Sequence, residues 1–247
     1  MMKKIMITGA SSGLGKACAM EFARRGYALG LTARRLDQLE QIKQDITAKY
    51  PHIPVEIRML DVTQYATIPE ILRDLANHLG GLDIVFANAG IGLGGKAGKS
   101  PFENVRKTIE TNLIGAMATV DAAVAYFLEQ GSGQIVGTSS VAAFRGFPGN
   151  AAYCASKSGF STYLEGVRGE VAQKKISVTI LHPGFIDTPI NDTLPNRPFV
   201  VPVEKGAIEM VDLIEKKVKS STVPRMPWSM IGMLLKTMPD AVLGRIK

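Results

Sequence analysis

The stretch KKIMITGASSGLG, residues 3–15, carries an apolar run directly into a glycine-rich turn. The run predicts a strand over 3–9, and the apolar spacing after the turn predicts a helix over 13–25. Glycines at such a turn let the backbone approach a pyrophosphate closely, and the N-terminus of the helix offers unpaired N–H groups to the phosphate oxygens. The stretch therefore predicts a strand–turn–helix unit that holds a dinucleotide.

The same alternation of apolar runs and amphipathic stretches continues along most of the chain. Continuous apolar runs are typical of parallel strands buried on both faces, and helical connections between them give right-handed crossovers. Further strands are predicted at 28–34, 55–62, 83–90, 133–140 and 176–184, and further helices at 36–49, 68–79, 101–130, 151–174 and 204–219. The pattern predicts an α/β fold with a doubly wound parallel sheet of Rossmann type, formed by a single domain over residues 1–221.

Two proline-containing segments interrupt the alternation. Residues 185–203 contain four prolines and predict a loop or an irregular flap. Residues 222–247 form a separate apolar tail bounded by Pro224, Pro227 and Pro239, and its apolar core is too short to cross a membrane. Three interpretations of the tail stay open: a helix packed on the body, a contact between subunits, or an element that lies on a membrane surface.

Charge and composition restrict the kind of partner. Lys and Arg outnumber Asp and Glu by 29 to 22, which gives a net charge of +7, but the cations are scattered and accompany no nucleic-acid-binding motif. We therefore expect no nucleic-acid partner, which leaves an anionic cofactor with a solvated basic face, or an anionic membrane surface. No apolar run reaches the roughly 18–20 residues of a transmembrane helix, so no membrane span is expected.

Cysteine and histidine usage predicts neither a disulfide nor a metal site. Cys18 and Cys154 lie far apart in predicted helices, which is typical of a reducing compartment. His52, His78 and His182 stand apart without the spacing of metal ligands. The chain opens directly into its first strand rather than into a signal peptide, so we expect a cytoplasmic protein.

The end of the second predicted strand decides between the two nicotinamide cofactors. It reads Thr32-Ala33-Arg34-Arg35, with no acid before Asp37. A carboxylate there would hydrogen-bond the ribose hydroxyls of NAD and repel a 2′-phosphate, whereas a guanidinium suits that phosphate. The sequence therefore favours NADP(H) over NAD(H), the alternative being that one of the arginines only caps the next helix.

The glycine turn has the spacing G-x-x-x-G-x-G, and with Thr8 it reads TGxxxGxG. It resembles the motif of the short-chain dehydrogenase/reductase family, and ANAG at 87–90 resembles the NNAG of that family, with Ala87 in place of the first Asn. The resemblance covers roughly residues 3–190. It implies a nicotinamide-dependent oxidoreductase, commonly a homodimer or homotetramer built on the two long helices.

The resemblance also implies roles for individual residues of this chain. Asp61-Val62 matches the position that contacts adenine, and Pro183-Gly184 followed by Thr188 resembles the motif that contacts nicotinamide. Motif and resemblance together predict these cofactor-binding residues: Gly9, Ser11, Ser12, Gly13, Leu14, Gly15, Arg34, Arg35, Asp61, Val62, Asn88, Ala89, Gly90, Tyr153, Lys157, Pro183, Gly184, Ile186 and Thr188.

Catalytic chemistry is predicted around Tyr153 and Lys157, whose i, i+4 spacing places both side chains on one face of a helix. Reducing a carbonyl requires a proton donor at its oxygen, and we expect the lysine cation to lower the pKa of the tyrosine phenol toward that task. Ser140 ends a predicted strand and is positioned to orient the substrate oxygen. Asn112 matches the fourth member of the family's tetrad, which is thought to hold a water in a proton relay. The alternative is that Asn112 is a polar helix residue whose side chain only satisfies backbone groups.

Apolar side chains flank these positions in the segments expected to form the substrate pocket. They are Ile91, Leu93, Phe144, Phe147, Phe185, Ile190 and Leu194. Such a lining favours a hydrophobic ketone or aldehyde over a charged sugar. Two alternatives stay open: a reductase of 3-oxoacyl groups on a carrier protein, and a protein that senses NADP(H) without catalysis.

Overall fold

A seven-stranded parallel sheet forms the centre of the computed structural model, which describes residues 2–190 and 197–239. The strands are β1 Lys4–Thr8, β2 Ala28–Ala33, β3 Val55–Met59, β4 Ile84–Ala87, β5 Ser132–Thr138, β6 Lys175–Pro183 and β7 Ser220–Val223. Their order is β3-β2-β1-β4-β5-β6-β7, and every neighbouring pair is parallel. The predicted doubly wound sheet and single α/β domain are confirmed.

Helices connect the strands and cover both faces of the sheet. They are α1 Gly13–Arg24, α2 Leu36–Lys49, α3 Ile68–Leu79, α4 Phe102–Ile109, α5 Ala116–Gln130, α6 Ala151–Glu170, α7 Val203–Glu215 and α8 Arg225–Thr237. Helices α4 and α5 continue into each other through a π-helical turn over Glu110–Gly115, so the helix predicted at 101–130 is one rod with an altered turn in its middle.

Side chains that alternate along the strands build two cores. In β1, Ile5 and Ile7 pack with α1, α2 and α7, whereas Met6 between them packs with α3, α5 and α6 on the opposite face. Strand side chains point to opposite faces in turn, so a parallel strand covered on both sides must be apolar at every position. This burial explains why the strands read as continuous apolar runs.

The rod Phe102–Gln130, 29 residues with a mean hydropathy of 1.3, is long and apolar enough to cross a membrane by length and composition, where no such span was expected. Its inner residues, among them Val120, Ala123 and Phe127, are fully buried in the core beside α3 and α6. A core helix of a globular domain meets the same criterion, so the composition of this helix follows from its place against the sheet.

The tail begins inside the sheet. Strand β7 spans 220–223 and therefore crosses the predicted boundary between residues 221 and 222. Helix α8 follows after Pro224 and buries Trp228, Gly232 and Leu235 against the body. One face of this helix therefore packs on the body, as the first of the three interpretations of the tail expected.

Candidate active site

A cleft of about 690 Å³ opens at the carboxyl ends of the strands, where β1 and β4 mark the reversal of strand order. Every residue predicted to bind a cofactor lines this cleft, as do three of the four predicted catalytic residues, Ser140, Tyr153 and Lys157. The fourth, Asn112, lies fully buried beneath the floor. The structure therefore brings together residues that lie more than 170 positions apart in the sequence.

The glycine turn forms one wall and depends on close backbone contact. Gly9 has a φ of +68°, and a Cβ on Gly15 would overlap the carbonyl oxygen of Gly9. Ser12 precedes α1 in extended conformation and does not cap the helix with its side chain. The first N–H groups of α1 are therefore directed at the cleft, as an anion site at a helix N-terminus requires.

A cluster of donors lies beside this turn. The guanidinium of Arg35 donates to the hydroxyls of Ser11 and Ser12, both at 3.1 Å. Arg34 lines the cleft next to it, and Asp61 is the one carboxylate among the lining residues that the structure describes. A guanidinium with two hydroxyls is the donor set that suits a phosphate, so these residues fit a cofactor that carries a 2′-phosphate.

Asn88 ties three strands together under the cofactor wall. Its Nδ2 donates to the carbonyl of Thr8 at 3.1 Å, and its Oδ1 accepts from the hydroxyl of Thr138 at 3.1 Å. The Thr8 hydroxyl in turn accepts the backbone N–H groups of Asn88 and Ala89. The retained asparagine of the ANAG motif thus fixes the ends of β1, β4 and β5 relative to one another.

Ser140 and Tyr153 form the polar centre of the cleft. Burial raises the pKa of Tyr153 to about 12, and the neighbouring Ser140 hydroxyl, which favours the phenolate, offsets this rise only in part. The expectation that Lys157 lowers this pKa is therefore wrong for the structure described here. Ser140 also accepts the N–H of Ala142 and donates to the carbonyl of Pro183 at 3.3 Å, which fixes its hydroxyl between two strand ends.

Lys157 is a buried cation one helical turn after Tyr153. Its Nζ donates to the carbonyl of Thr138 at 2.8 Å and lies 5.9 Å from the centre of the Tyr153 ring. Burial lowers the pKa of the lysine to about 8. The ammonium is thus directed to a strand carbonyl rather than to the phenol oxygen, which explains why the phenol gains no stabilisation from it.

Asn112 lies in the π-helical turn and holds the loop that follows β4. Its Oδ1 accepts the N–H of Ile91 and its Nδ2 donates to the carbonyl of Ile91, both at 2.8 Å. A Cβ on Gly90 would lie 3.3 Å from Asn112 Oδ1 and 3.5 Å from Lys157 Nζ, so both polar groups lie directly beneath this glycine. The sequence predicts the residue, but not the π-helical geometry that turns its amide toward the loop.

Two neighbouring polar residues, Ser139 and His182, hold parts of the site in place through hydrogen bonds. Ser139, the alternative serine, also lines the cleft, but its hydroxyl donates to the carbonyl of Lys157 and shares a 2.7 Å hydrogen bond with Ser161, so it is directed at α6. The ring of His182 lies against the carbonyl of Ser140 on one side and the hydroxyl of Ser220 on the other. No group of three metal-ligating residues occurs within residues 2–190 and 197–239.

Helix α8 supplies the far wall, which sequence reasoning missed. Trp228, Ile231, Leu235 and Met238 line the cleft from the tail, at a spacing that a helical reading of the tail could have revealed. Gly184 is essential for this wall, because a Cβ there would overlap the indole of Trp228.

The predicted apolar lining is partly confirmed. Ile91, Phe147, Phe185 and Ile190 line the cleft, and Leu194 lies outside the described residues. Leu93 and Phe144 do not line it. The Phe144 ring packs behind α8, against Gly232 and His182, because α8 covers the surface on which this phenylalanine lies.

Comparisons with known proteins agree with this geometry. The family model of short chain dehydrogenases matches residues 3–198. An uncharacterized oxidoreductase of Mycobacterium tuberculosis is 38% identical over 244 residues, which cover 98% of this chain and 96% of that protein. The NADP-dependent 3-hydroxy acid dehydrogenase of Schizosaccharomyces pombe is 32% identical over 188 residues, covering 75% of this chain and 72% of that protein.

A similar solved structure is that of an alcohol dehydrogenase from the archaeon Thermococcus sibiricus in complex with 5-hydroxy-NADP. It has a TM-score of 0.81 and 28% sequence identity, and the match covers 90% of this chain and 96% of that one.

Proposed function

Because the chain belongs to the short-chain dehydrogenase/reductase family, we propose that it is an NADP(H)-dependent oxidoreductase that interconverts an alcohol and an apolar ketone or aldehyde. The observation that carries the proposal is that Ser140, Tyr153 and Lys157 line the same cleft at the junction of a phosphate-suited wall and an apolar chamber. When bound, the nicotinamide supplies or accepts the hydride.

The protein's own residues manage the proton and the substrate oxygen. Ser140 holds that oxygen beside the Tyr153 phenol. The phenol donates its proton to the oxygen during reduction, and in the reverse direction the phenolate accepts the proton of the alcohol. A pKa of about 12 keeps the phenol protonated at neutral pH, which suits the donor role. Lys157 and Asn112 lie beneath Gly90 and position the floor of the site.

The substrate class follows from the chamber opposite the cofactor wall. Its side chains are Ile91, Phe147, Phe185, Ile190, Trp228, Ile231 and Leu235. Among the described lining residues the cations Arg34 and Arg35 lie at the glycine-turn end, and the third cation, Lys157, directs its ammonium to the carbonyl of Thr138. An apolar chamber without a charged anchor favours a hydrophobic ketone or aldehyde over a sugar or an acid.

The test of the reaction is NADPH consumption with a panel of aryl and alkyl ketones, aldehydes and 3-oxoacyl thioesters. We expect turnover of the apolar ketones or aldehydes, and a fall in kcat of about 10²–10⁴-fold in Tyr153→Phe, since the phenol proton is lost. NADPH binding, followed by fluorescence, should stay within about twofold of the wild type because the ring is kept. A variant as active as the wild type would refute the role of Tyr153.

Two other results would select a different function. Preferred turnover of 3-oxoacyl thioesters would favour a 3-oxoacyl reductase, a candidate supported by the similarity to the S. pombe 3-hydroxy acid dehydrogenase. NADPH binding with no turnover on the whole panel would favour a non-catalytic sensor of NADP(H).

Cofactor preference has its own test at Arg35. Arg35→Ala removes a charge-assisted hydrogen-bond donor worth about 1.5–3 kcal/mol, so the Kd for NADPH should rise about 10–100-fold while the Kd for NADH changes little. Arg73→Ala, an exposed arginine on α3, is the matched control. Equal affinity of the wild type for NADPH and NADH would reject the preference, whatever the variant does.

A further inference from the structure

Helix α8 is apolar on two opposite faces. Its inner face, with Trp228, Ile231 and Leu235 at positions i, i+3 and i+7, lines the cleft. Its outer face carries Met230, Met233 and Leu234 at positions i, i+3 and i+4, and the exposed fractions of these side chains are 64%, 75% and 60%. Met226, 58% exposed, lies just before them at the kink where the helix begins. A helix that only closed the cleft would need no apolar residues on its outer face.

The exposed residues of this face form one surface. Met226, Met230, Met233 and Leu234 together form what we call the α8 patch. Contiguous exposed apolar residues of this kind mark a surface that meets a partner, and methionine adapts to irregular apolar partners.

The charge around the patch is positive. Arg225 and Lys236, both exposed, are the cations of α8, at its start and in its last turn, and the carboxylate of Glu209 on α7 accepts the backbone N–H of Arg225. No carboxylate occurs in the sequence between Lys216 and Pro239, and the chain as a whole carries a net charge of +7. Cations beside an apolar face are complementary to anionic headgroups above acyl chains.

The size of the patch favours a bilayer over a second copy of the chain. Thirteen helical residues span about 20 Å, and a strip about 10 Å wide along them covers about 200 Å². A stable dimer buries about 800 Å² on each partner, several times more than the patch offers. An interfacial helix needs only to insert its apolar side chains between headgroups, for which a strip of this size is sufficient.

We propose that the α8 patch docks this protein on the surface of an anionic lipid bilayer. Docking places the outer face of α8 among the acyl chains while its inner face continues to line the cleft. An apolar carbonyl compound dissolved in the bilayer would then reach Ser140 and Tyr153 past α8 without crossing water. This last consequence rests on the proposed function, whereas the docking itself does not.

The test is flotation with vesicles of phosphatidylcholine alone and of phosphatidylcholine mixed with phosphatidylglycerol. We expect the wild type to float with the mixed vesicles only, and to be released as salt is raised. The double variant Met230→Gln/Met233→Gln should lose at least about tenfold in vesicle affinity, since two inserted side chains become polar. Met59→Gln, at an exposed methionine on β3, is the matched control and should bind like the wild type.

Three outcomes would overturn the proposal: no flotation of the wild type, equal flotation of the double variant, or equal binding to both kinds of vesicle. A double variant that sediments as a smaller species, with no vesicle binding by the wild type, would assign the patch to contact between copies.

Turnover of a water-soluble ketone separates this proposal from the proposed function. Both methionines lie outside the cleft, so the double variant should keep its turnover of such a ketone if only docking is lost. Absence of turnover in all three proteins would overturn the proposed function and leave the vesicle result standing.

Discussion

At the scale of single residues, His182 shows how a group outside the cleft holds a group inside it. Its ring is buried between the carbonyl of Ser140 and the hydroxyl of Ser220, 4.8 Å from the centre of the Phe144 ring. Burial lowers the pKa of His182 to about 4, so the ring is neutral in the folded protein at neutral pH. The histidine thus braces the serine that faces the substrate.

This burial predicts a dependence of stability on pH. Below pH 6.5 the unfolded chain binds a proton at His182, whereas the folded protein binds it only below about 4. The free energy of unfolding should therefore fall as pH is lowered through this window, by about 3 kcal/mol in all from this group. Urea unfolding at a series of pH values measures the slope.

The controls for this prediction are two glutamine variants. His182→Gln should flatten the slope, and His52→Gln, at an exposed position, should keep it. Equal slopes of the free energy of unfolding against pH in the wild type and in His182→Gln would show that another group causes the loss of stability at low pH.

Site residues could be predicted wherever their function requires particular residue types at a fixed spacing in the sequence. The glycine turn, Tyr153 with Lys157, and the arginines after β2 all line the cleft as predicted. The pKa of Tyr153 was not predictable, because spacing places Lys157 on the same helix face but does not reveal that its ammonium donates to the carbonyl of Thr138. The partner to which a side chain donates depends on residues that are close in space but distant in the sequence, and a local sequence pattern does not reveal them.

At the scale of elements, the contact between α1 and α7 depends on one arginine. Arg25, at the end of α1, pairs with Glu21 at 2.7 Å on its own helix and with Asp212 at 2.7 Å and Glu215 at 2.6 Å on α7. Its side chain is 16% exposed and that of Glu21 is 7% exposed, whereas Asp212 and Glu215 are 44% and 33% exposed, so only the α1 side of the network is removed from solvent. The guanidinium therefore joins the first helix to the seventh.

Removing this arginine should destabilise the protein more than removing a surface one. Arg25→Ala leaves the buried carboxylate of Glu21 with Arg24 alone, removes both pairs to α7, and should cost about 2 kcal/mol in the free energy of unfolding. Arg73→Ala breaks an exposed pair with Glu129 and should cost less than about 1 kcal/mol. Equal losses, measured by urea unfolding, would mean that the network adds nothing beyond a surface ion pair.

Elements were predictable in proportion to their burial. Of the six strands found in the sequence, most are apolar runs and β3 alternates apolar and charged residues. β7 is only Ser220–Val223, with three hydroxyl residues, and its pairing with β6 is what makes it a strand. The end of α6 at Glu170 rather than at residue 174 depends on the turn that leads into β6. Short polar strands and helix ends are set by tertiary partners more than by local preference.

At the scale of the whole molecule, the cleft has two halves of different origin. The glycine turn, the arginines after β2 and the ANAG motif form the wall that suits a dinucleotide, and the chamber opposite is completed by α8. The first half could be predicted because phosphate recognition requires glycines and cations at fixed spacings. The second could be predicted only in part: several apolar side chains beside the catalytic positions were found in the sequence, but the wall from α8 was not, because an apolar wall can be built from any large side chains that the fold brings there.

The position of α8 near the end of the sequence affects how the two walls of the cleft can change in evolution. Since the wall of the chamber comes from the last part of the chain while the nucleotide wall comes from the first, a recombination event near β7 would exchange one without disturbing the other. Mutations that accumulate in α8 alter what enters the chamber, and the glycine turn 200 residues away is spared. Selection can thus retune the choice of substrate through one terminal helix while the hydride chemistry is passed on unchanged.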